Sequence, residues 1–489
     1  MLFNSIEFAA FLPIAFLLYW LVCGKSGKTQ NLCLVALSAV FYGWWDWRFL
    51  FLIAFTALCT WASGIAIARG NARSSAAGIT PPPFSPKFFC GANIVVNLAV
   101  LGVFKYYNFF ATEFADAFLG GNAAGLLLPI VLPVGISFYT FSALSYTIDL
   151  YRGNVAPARG PLEVFAYLSF FPQLFAGPIG RASELLPQYE RRRVFDYAEG
   201  VLGLRQMLWG FFKKMVIADN CAKVVDAVWA DYSAYNGSTL AAVAVLYSIQ
   251  IYADFSGYSD MAIGCARLFG IRLRPNFLFP YFSRDVAEFW RRWHISLNAW
   301  FRDYLYIPLG GSREGKAKTI RNTLIIFAIC GFWHGANWTF IAWGLFHGLL
   351  FVPRLLAGTK KRAEKVVAEN AFFPSLREIV QVGTTFLLVT IGWVFFRAPT
   401  IHDAFAFFEH MLFSGTLART PLVEISSGRF PLVFIPFLFL VEWFARRRSF
   451  ALERVPVRNV VLRWAAYLVL VCVILQYDGG SEQFVYFQF

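Results

Sequence analysis

Charged residues are scarce in this chain of 489 residues: they make up 15% of it, against about 25% in an ordinary soluble protein. Hydrophobic residues make up 58% and gather in long runs. Such runs include 8–22, 49–68, 240–253, 323–332, 384–396, 431–441 and 460–475. Because a bilayer-spanning helix needs roughly 20 mostly apolar residues, the composition excludes a soluble globular fold. It predicts an all-α polytopic membrane protein with about ten transmembrane helices, some of them broken by Gly and Pro.

Clustered cysteines are also lacking, because the eight that occur are scattered, mostly within apolar runs, and form no Cys-x-x-Cys pair. They are interpreted as small core residues, so neither disulfides nor a metal site is predicted. The sequence contains no phosphate-binding P-loop, Gly-x-Ser-x-Gly elbow, His-Glu-x-x-His pair or dinucleotide fingerprint. These absences argue against the nucleotide-binding, serine-hydrolase and zinc-protease classes that carry such motifs.

The net charge of +14 comes from Lys and Arg in loops between the apolar runs. This arrangement fits the positive-inside rule, so no nucleic-acid partner is expected. Residues 1–7 carry no basic signal-peptide region, whereas Lys25 and Lys28 follow the first apolar run. The rule therefore predicts an extracytoplasmic N-terminus. Arg446–Arg448 is predicted to be cytoplasmic, so the last helix, 459–476, leads to an extracytoplasmic C-terminus.

Two segments do not fit a plain membrane span. The apolar stretch 162–177 is short, contains Pro172, ends at Gly177-Pro178 and has basic residues beyond both ends, which favours a re-entrant hairpin that lines a cavity. Residues 272–318 mix seven arginines with Phe, Trp and Tyr. An arginine at the centre of a helix in lipid costs roughly 2.5–3.5 kcal/mol, so this arginine block is predicted at the cytoplasmic interface or on a polar cavity. The alternative is a basic aromatic anchor.

Histidine is rare as well, and two of the five histidines, His294 and His334, lie in tryptophan-rich apolar segments. Histidine can accept and return a proton near neutral pH, and ionisable residues within membranes are costly and often functional. Both are predicted to reach one cavity, His294 from the cytoplasmic side and His334 from beyond the membrane middle. A structural hydrogen bond is the alternative for each. His347, His402 and His410 fit no metal spacing and are interpreted as structural or solvated.

Several neighbouring residues are predicted to support these two histidines or to line the cavity. They are Trp293, Asn298, Arg302, Asp303, Tyr304, Trp333, Asn337 and Asp254. A carboxylate close to His294 is a common general-base arrangement, which makes Asp303 a candidate. Asp254 and Asp260 are interpreted as ion-pair partners of the arginine block or as holders of a helix break, in preference to catalytic groups.

A set of longer motifs is more specific than any single residue. The motifs are 1–5 (MLFNS), 133–141 (PVGISFYTF), 171–178 (FPQLFAGP), 254–262 (DFSGYSDMA), 289–294 (FWRRWH), 302–311 (RDYLYIPLGG) and 333–336 (WHGA). Through them the chain resembles the membrane-bound O-acyltransferase family over essentially its whole length. The resemblance is greatest to the bacterial branch that O-acetylates alginate.

The resemblance implies a single domain over 1–489, built as a ring of helices, with re-entrant and interfacial helices, around a central funnel and a tunnel. It implies that His334 is the principal catalytic residue and that His294 is the second functional histidine. It also implies acetyl-CoA, or an acyl-carrier thioester, as a cytoplasmic donor that is a substrate and not a bound cofactor. The expected role is O-acetylation of an exopolysaccharide such as alginate from the bacterial inner membrane, through an extracytoplasmic SGNH-like transferase partner.

The C-terminal tail, 484–489, is similar to the aromatic C-terminal motif of a small partner protein in D-alanylation systems. One hypothesis is that the tail enters the outer funnel and that the Tyr486 hydroxyl accepts the acyl group as a relay. A phenol has a pKa of about 10, so it needs an adjacent base, which His334 would supply. The alternative is an interfacial aromatic anchor in contact with membrane lipid.

Two other functions stay open at this level. A non-enzymatic transporter or flippase for a lipid-linked glycan would explain many helices and an aromatic cavity, although no internal repeat is evident. An acyltransferase of the same family could instead transfer D-alanine, or acetylate peptidoglycan or cellulose. A catalytically dead scaffold is disfavoured because both histidines are present.

Overall fold

The structure is a computed structural model that describes residues 1–74, 85–121, 123, 125–175, 177–357, 366–415 and 433–480. Within those residues every regular element is a helix and no strand occurs. The prediction of an all-α polytopic membrane protein is confirmed. The chain forms two compact units. Unit 1 comprises Met1–Leu204 and Ala262–Arg274, and unit 2 comprises Arg205–Met261 and Pro275–Phe489.

Five helices in the described residues are long and apolar enough to cross a membrane. They are Phe49–Ala72, Pro86–Phe118, Gly237–Leu268, Trp338–Ala357 and Leu376–Arg397. Three shorter apolar helices follow other hydrophobic runs of the sequence: Ile6–Val22, Phe434–Ala445 and Val460–Gln476. Full-length spans are fewer than the roughly ten segments predicted, since some apolar runs form shorter helices and part of the chain is outside the described residues.

Unit 1 is built on nine helices of its own within the described residues. They are α1 (Ile6–Leu17), α2 (Gly27–Asp46), α3 (Phe49–Ser74), α4 (Pro86–Leu101), α5 (Tyr107–Phe118), α6 (Ile136–Tyr151), α7 (Pro161–Ser169), α8 (Phe171–Leu174) and α9 (Ala182–Tyr189). Helices α10 (Tyr197–Phe211) and α12 (Gly237–Leu268) contribute residues to both units.

Helix α6 forms the core of unit 1, because 14 of its 16 residues are buried, including the polar ones. It packs against α3 and α4, where the Asn93 amide donates to the Thr147 hydroxyl at 2.6 Å. The segment predicted as a re-entrant hairpin forms α7 and α8, of nine and four residues, with a break at Phe170. Helices of that length are too short to cross a bilayer, as the prediction requires.

Unit 2 holds the remaining described helices. They are α11 (Asp219–Ala230), α13 (Val286–Arg292), α14 (Ile295–Phe301), α15 (Lys316–His334), α16 (Trp338–Ala357), α17 (Leu376–Arg397), α18 (Ile401–Phe413), α19 (Phe434–Ala445) and α20 (Val460–Gln476). Two π-helical turns interrupt regular helix in this unit, Phe212–Ala218 and Arg302–Tyr306. Such turns occur often at functional sites.

Helices α15 and α16 form a tight hairpin that places the end of α15 against α16. Glycines make this possible: a Cβ added at Gly331 would lie 2.1 Å from the Phe340 carbonyl oxygen, and one at Gly344 would lie 2.1 Å from that of Phe327. Only a residue without a Cβ allows the two backbones to approach so closely. The hairpin therefore fixes the position of His334, the last residue of α15.

Candidate active site

His294 lies at a sharp turn between two seven-residue helices, α13 and α14. Its side chain is fully buried, and its backbone is left-handed, with φ 45° and ψ 54°. This conformation is uncommon for residues other than glycine and costs on the order of 1–3 kcal/mol. The imidazole at this turn lies among buried aromatic rings, with the Phe255 ring 4.7 Å away between centroids.

Asn276 holds this turn from a distant part of the chain. The Asn276 side-chain oxygen lies 3.1 Å from His294 Nδ1, and the Asn276 carbonyl accepts from the Ile295 N–H at 2.9 Å. The same side-chain oxygen accepts from the Ser296 N–H at 3.3 Å and from its hydroxyl at 2.9 Å. The amide nitrogen of Asn276 donates to the Ser259 hydroxyl at 3.3 Å.

These contacts fix the proton on the His294 ring. A backbone N–H can only donate, so the Asn276 atom that receives the Ser296 N–H must be oxygen. His294 Nδ1 faces that oxygen and must therefore carry the hydrogen. In a neutral imidazole the lone pair then belongs to Nε2. Asn276 thus selects the tautomer of His294.

Burial keeps His294 neutral. It lies outside the five membrane-spanning helices, and loss of water around the imidazolium lowers the pKa of His294 to about 3. An imidazole with so low a pKa is a weak base at neutral pH. The geometry therefore suits His294 to orienting a substrate by hydrogen bonding, while the proton is transferred elsewhere.

His334 ends α15 and is also buried, at 3% exposed. Its ring meets Trp343 and Phe396 edge to face, with centroids 5.1 and 5.4 Å away. The His294 and His334 rings lie 6.4 Å apart between centroids. That separation is too large for a direct hydrogen bond between the rings, but it lets one substrate oxygen or sulfur contact both. The structure thus brings together the two histidines that the sequence singles out.

Around the histidines lies an aromatic cage formed by Trp293, Trp333, Trp343, Trp393 and Phe396. All five side chains are buried. Trp343 stacks on Trp393 at 5.5 Å, and Trp293 lies 5.0 Å from Trp393, between ring centroids. Trp333 lies 4.8 Å from His334 and 6.0 Å from His294. An apolar enclosure of this kind keeps water away from the groups that react inside it.

The predicted role of Asp254 as a structural ion-pair partner agrees with its contacts, but the partner differs from the one predicted. Asp254 pairs with Lys214 at 2.8 Å, not with the arginine block, and Lys214 also pairs with Asp219 at 2.7 Å. Both carboxylates and the lysine are buried. Asp260 likewise pairs with Lys213, at 2.6 Å. Lysines of the π-helical turn therefore neutralise the acids of α12.

Asp303 and Arg302 form an ion pair with each other at 2.6 Å, and their side chains are 21% and 60% exposed. The sequence makes Asp303 a candidate partner for His294. In the structure Asn276 forms a hydrogen-bond contact with the His294 ring. Tyr304 is buried and packs on Trp300 with 5.0 Å between ring centroids.

The two predicted asparagines stabilise turns next to the histidines. Asn298 donates to the carbonyls of Trp290 and Trp293, both at 2.6 Å, and so holds the break before α14. Asn337 donates to the Pro399 carbonyl at 2.9 Å and accepts from the Thr339 N–H at 2.9 Å, at the start of α16. Their roles are positional.

The other three histidines differ among themselves. His347 is buried beside the aromatic cage, and its Nδ1 accepts from the Trp290 indole N–H at 3.4 Å. His410 Nε2 lies 2.9 Å from the Tyr235 carbonyl oxygen, and His402 is exposed. The structural or solvated interpretation fits these environments. Tyr486 and the tail 484–489 lie outside the described residues.

The model of the membrane-bound O-acyltransferase family matches residues 156–359. The chain is 38% identical over 448 residues to the probable alginate O-acetylase AlgI of Pseudomonas aeruginosa, covering 90% of this chain and 81% of the relative. It is 36% identical over 513 residues to the probable alginate O-acetylase AlgI of Pseudomonas putida, covering 100% of both. It is 34% identical over 442 residues to the peptidoglycan O-acetyltransferase of Helicobacter pylori, covering 84% of this chain and 80% of the relative.

The helical fold, the apolar spans and these relatives define a multi-pass membrane acyltransferase. The chain belongs to the membrane-bound O-acyltransferase family, and the resemblance predicted from the sequence motifs is confirmed.

Proposed function

We propose that this protein is an O-acetyltransferase of the bacterial inner membrane that takes an acetyl group from cytoplasmic acetyl-CoA for O-acetylation of an exopolysaccharide such as alginate. The names of the relatives support an acetyl group and a polysaccharide acceptor. The observation that carries the mechanism is the pair of buried histidines 6.4 Å apart inside an aromatic cage.

In the proposed reaction, His334 removes the proton from an acceptor hydroxyl. The hydroxyl oxygen attacks the thioester carbonyl carbon to form a C–O bond, and the C–S bond then breaks. The thiolate leaves with the proton that His334 received, so the products are an acetyl ester and free CoA. A base placed in this way contributes roughly 10²–10⁴-fold to the rate.

His294 has the second role. Its neutral ring, with the lone pair on Nε2, orients a substrate by hydrogen bonding, while the proton passes to His334. Asn276 is a positioning residue that keeps His294 in this tautomer. The aromatic cage restricts water and so protects the thioester from hydrolysis.

The acetyl group then passes to the polysaccharide through an extracytoplasmic SGNH-like transferase. In one version of this proposal Tyr486 receives the acetyl group first. Mass spectrometry of Tyr486 peptides after incubation with labelled acetyl-CoA tests that version. An unlabelled peptide, together with full activity of Tyr486→Phe, would leave direct transfer as the route.

The central test compares wild type with His334→Ala in proteoliposomes supplied with radiolabelled acetyl-CoA. Acetyl transfer to the protein or to added glycan is expected to fall roughly 10²–10⁴-fold in the variant. The matched control is His402→Gln, which removes an imidazole from an exposed position and is expected to retain activity.

Equal transfer by wild type and a folded His334→Ala would show that His334 is structural and that this mechanism is wrong. Transfer only from carrier-protein thioesters would support the family's chemistry with another donor. Unchanged acylation combined with blocked glycan export would favour the transporter.

A further inference from the structure

Unit 1 contains a cavity of about 340 Å³ that is separate from the histidine site in its residues. Its walls are the segment between α9 and α10, the adjoining ends of those helices, the end of α12 and the turn that follows it. We name it the arginine cavity after five of its lining residues: Arg191, Arg192, Arg193, Arg267 and Arg272. Two carboxylates, Asp196 and Glu199, also line it.

Positive charge in the arginine cavity is only partly neutralised. Its lining residues include five arginines and two carboxylates, a formal excess of three positive charges. Glu199 is shared between Arg267 at 3.2 Å and Arg272 at 3.0 Å. The Asp196 carboxylate accepts from two backbone N–H groups at the start of α10, at 2.9 and 3.3 Å. An anion is the ligand that would relieve this imbalance.

The wall of the arginine cavity is rigid. Arg193 is buried, and its guanidinium donates to the Tyr19 hydroxyl at 2.5 Å, the Gln188 carbonyl at 3.0 Å and the Asn31 side-chain oxygen at 2.7 Å. Arg193 therefore serves to fix the segment that carries its neighbours. Arg192 uses its Nε to donate to the Gly24 carbonyl at 2.9 Å, which orients its guanidinium. Within the described residues no carboxylate forms an ion pair with Arg191 or Arg192.

An apolar rim adjoins this charge. Val194 and Tyr197 are each 76% exposed, and Phe195 is 43% exposed. Phe195 packs on Trp20 and Phe16 with centroid distances of 5.6 and 5.5 Å. Exposed apolar and aromatic side chains beside clustered arginines are typical of the boundary between lipid headgroups and acyl chains.

We propose that the arginine cavity binds a phosphate group, with an anionic phospholipid headgroup as its ligand. The planar guanidinium fork matches two phosphate oxygens, and the apolar rim accommodates the acyl chains of a lipid. A soluble ligand that carries the same phosphate group would be a CoA-type nucleotide. The proposal does not depend on the acetyl transfer described above.

The test uses the full chain in detergent and counts bound phosphatidylglycerol by native mass spectrometry, against phosphatidylcholine. The variants are Arg192→Gln and Arg272→Gln, and the matched control is Arg69→Gln, an exposed arginine of the same unit that does not line the cavity. Each cavity variant is expected to weaken phosphatidylglycerol binding roughly tenfold, as loss of a charged hydrogen bond does. The control is expected to bind within about twofold of wild type.

A second arm titrates adenosine 3′,5′-bisphosphate as the soluble phosphate probe. Preference for phosphatidylglycerol without competition by the bisphosphate supports the lipid source, and displacement of lipid by the bisphosphate supports the nucleotide source. Equal binding of both lipids with no bisphosphate binding, or binding unchanged in both variants, overturns the proposal. Should a Gln variant fail to fold, Arg192→Lys keeps the charge and loses the fork, and it is expected to bind with intermediate affinity.

Discussion

At the scale of single residues, the geometry of the candidate site depends on a contact between residues 18 positions apart. Asn276 gives its side-chain oxygen to His294 and to Ser296, and so determines which ring nitrogen of His294 holds the hydrogen. His294 adopts a left-handed backbone conformation, and its side chain lies in the aromatic cage. Asn276 therefore fixes the tautomer of His294 and also holds the turn in which His294 adopts its left-handed backbone.

Replacing Asn276 by Leu should reduce kcat for acetyl transfer roughly 10–100-fold with less effect on KM, because a misplaced group costs orientation more than binding. Asn276→Asp keeps an acceptor for His294 Nδ1 and is expected to recover part of the activity. Its carboxylate should also favour the imidazolium and move the acid limb of the pH–rate profile upward. Steady-state kinetics across pH measures both effects. An Asn276→Leu enzyme with wild-type kcat would contradict the positioning role.

The burial of His294 also predicts how stability depends on pH. The pKa of His294 is about 3 in the folded protein and near 6.5 in an unfolded chain. Between these pH values the unfolded state binds a proton at His294 and the folded state does not. The contribution of neutral His294 to the free energy of unfolding is fully present above pH 6.5. It is lost as the pH falls toward 3, by up to about 1.4 kcal/mol per pH unit. Thermal unfolding from pH 4 to 8 should be less pH-dependent in His294→Gln than in wild type. An unchanged dependence would mean that His294 is solvated; exposed His402→Gln is the control.

Sequence could predict the histidines of the site but not the whole of their surroundings. His294 and His334 stand out because imidazoles are rare in apolar segments. Asn276 does not, since an asparagine after a proline in an arginine-rich stretch carries no local signal of a buried contact. Trp343 and Trp393 look like ordinary members of apolar runs, and only tertiary packing brings them to His334 and to each other.

At the scale of elements, glycines decide how α15 and α16 meet. The hairpin they form carries His334 at one end of α15 and Trp343 on α16, with 5.1 Å between the ring centroids. The long apolar runs predict such helices well. The short helices α13 and α14 and the π-helical turns could not be predicted from the sequence. Their boundaries depend on tertiary hydrogen bonds and not on the length of an apolar run.

Gly344→Ala should destabilise the protein by about 1–3 kcal/mol, because its Cβ would lie 2.1 Å from the backbone oxygen of Phe327, which cannot move aside as a side chain would. Denaturant unfolding in detergent provides the measurement. The matched control is Gly383→Ala in α17, where no atom lies within 4 Å of the added Cβ. That control should be neutral or slightly stabilising, since alanine favours helix. Equal stability of both variants would contradict the close approach.

At the scale of the whole molecule, composition predicts the class of protein and its membrane environment, and the distribution of charge predicts its orientation. The net charge of +14 comes from Lys and Arg in helices as well as in loops. It does not identify Lys213 and Lys214, which are buried in ion pairs, because paired and solvated charges look alike in sequence. The unit boundaries within α10 and α12 cannot be recognised in the sequence either, since each falls inside a continuous helix.

We predict that Arg446–Arg448 faces the cytoplasm and that the end of α20 faces the outside. Alkaline phosphatase fused after Gly480 should be active, and the same enzyme fused after Arg454 should be inactive. Green fluorescent protein at the same two positions should give the reverse pattern. Phosphatase activity at Arg454 but not at Gly480 would invert the topology.

The buried pair of Asp254 and Lys214 constrains how the protein is made. Left alone in lipid, an aspartate at the centre of α12 would cost roughly 2.5–3.5 kcal/mol on insertion scales. Lys214 belongs to the π-helical turn after α10 and is synthesised 40 residues earlier, so it is available when α12 leaves the ribosome. The two segments are therefore expected to leave the translocon together, with the Lys214–Asp254 ion pair already formed. The order of synthesis would then help to determine how the protein inserts into the membrane.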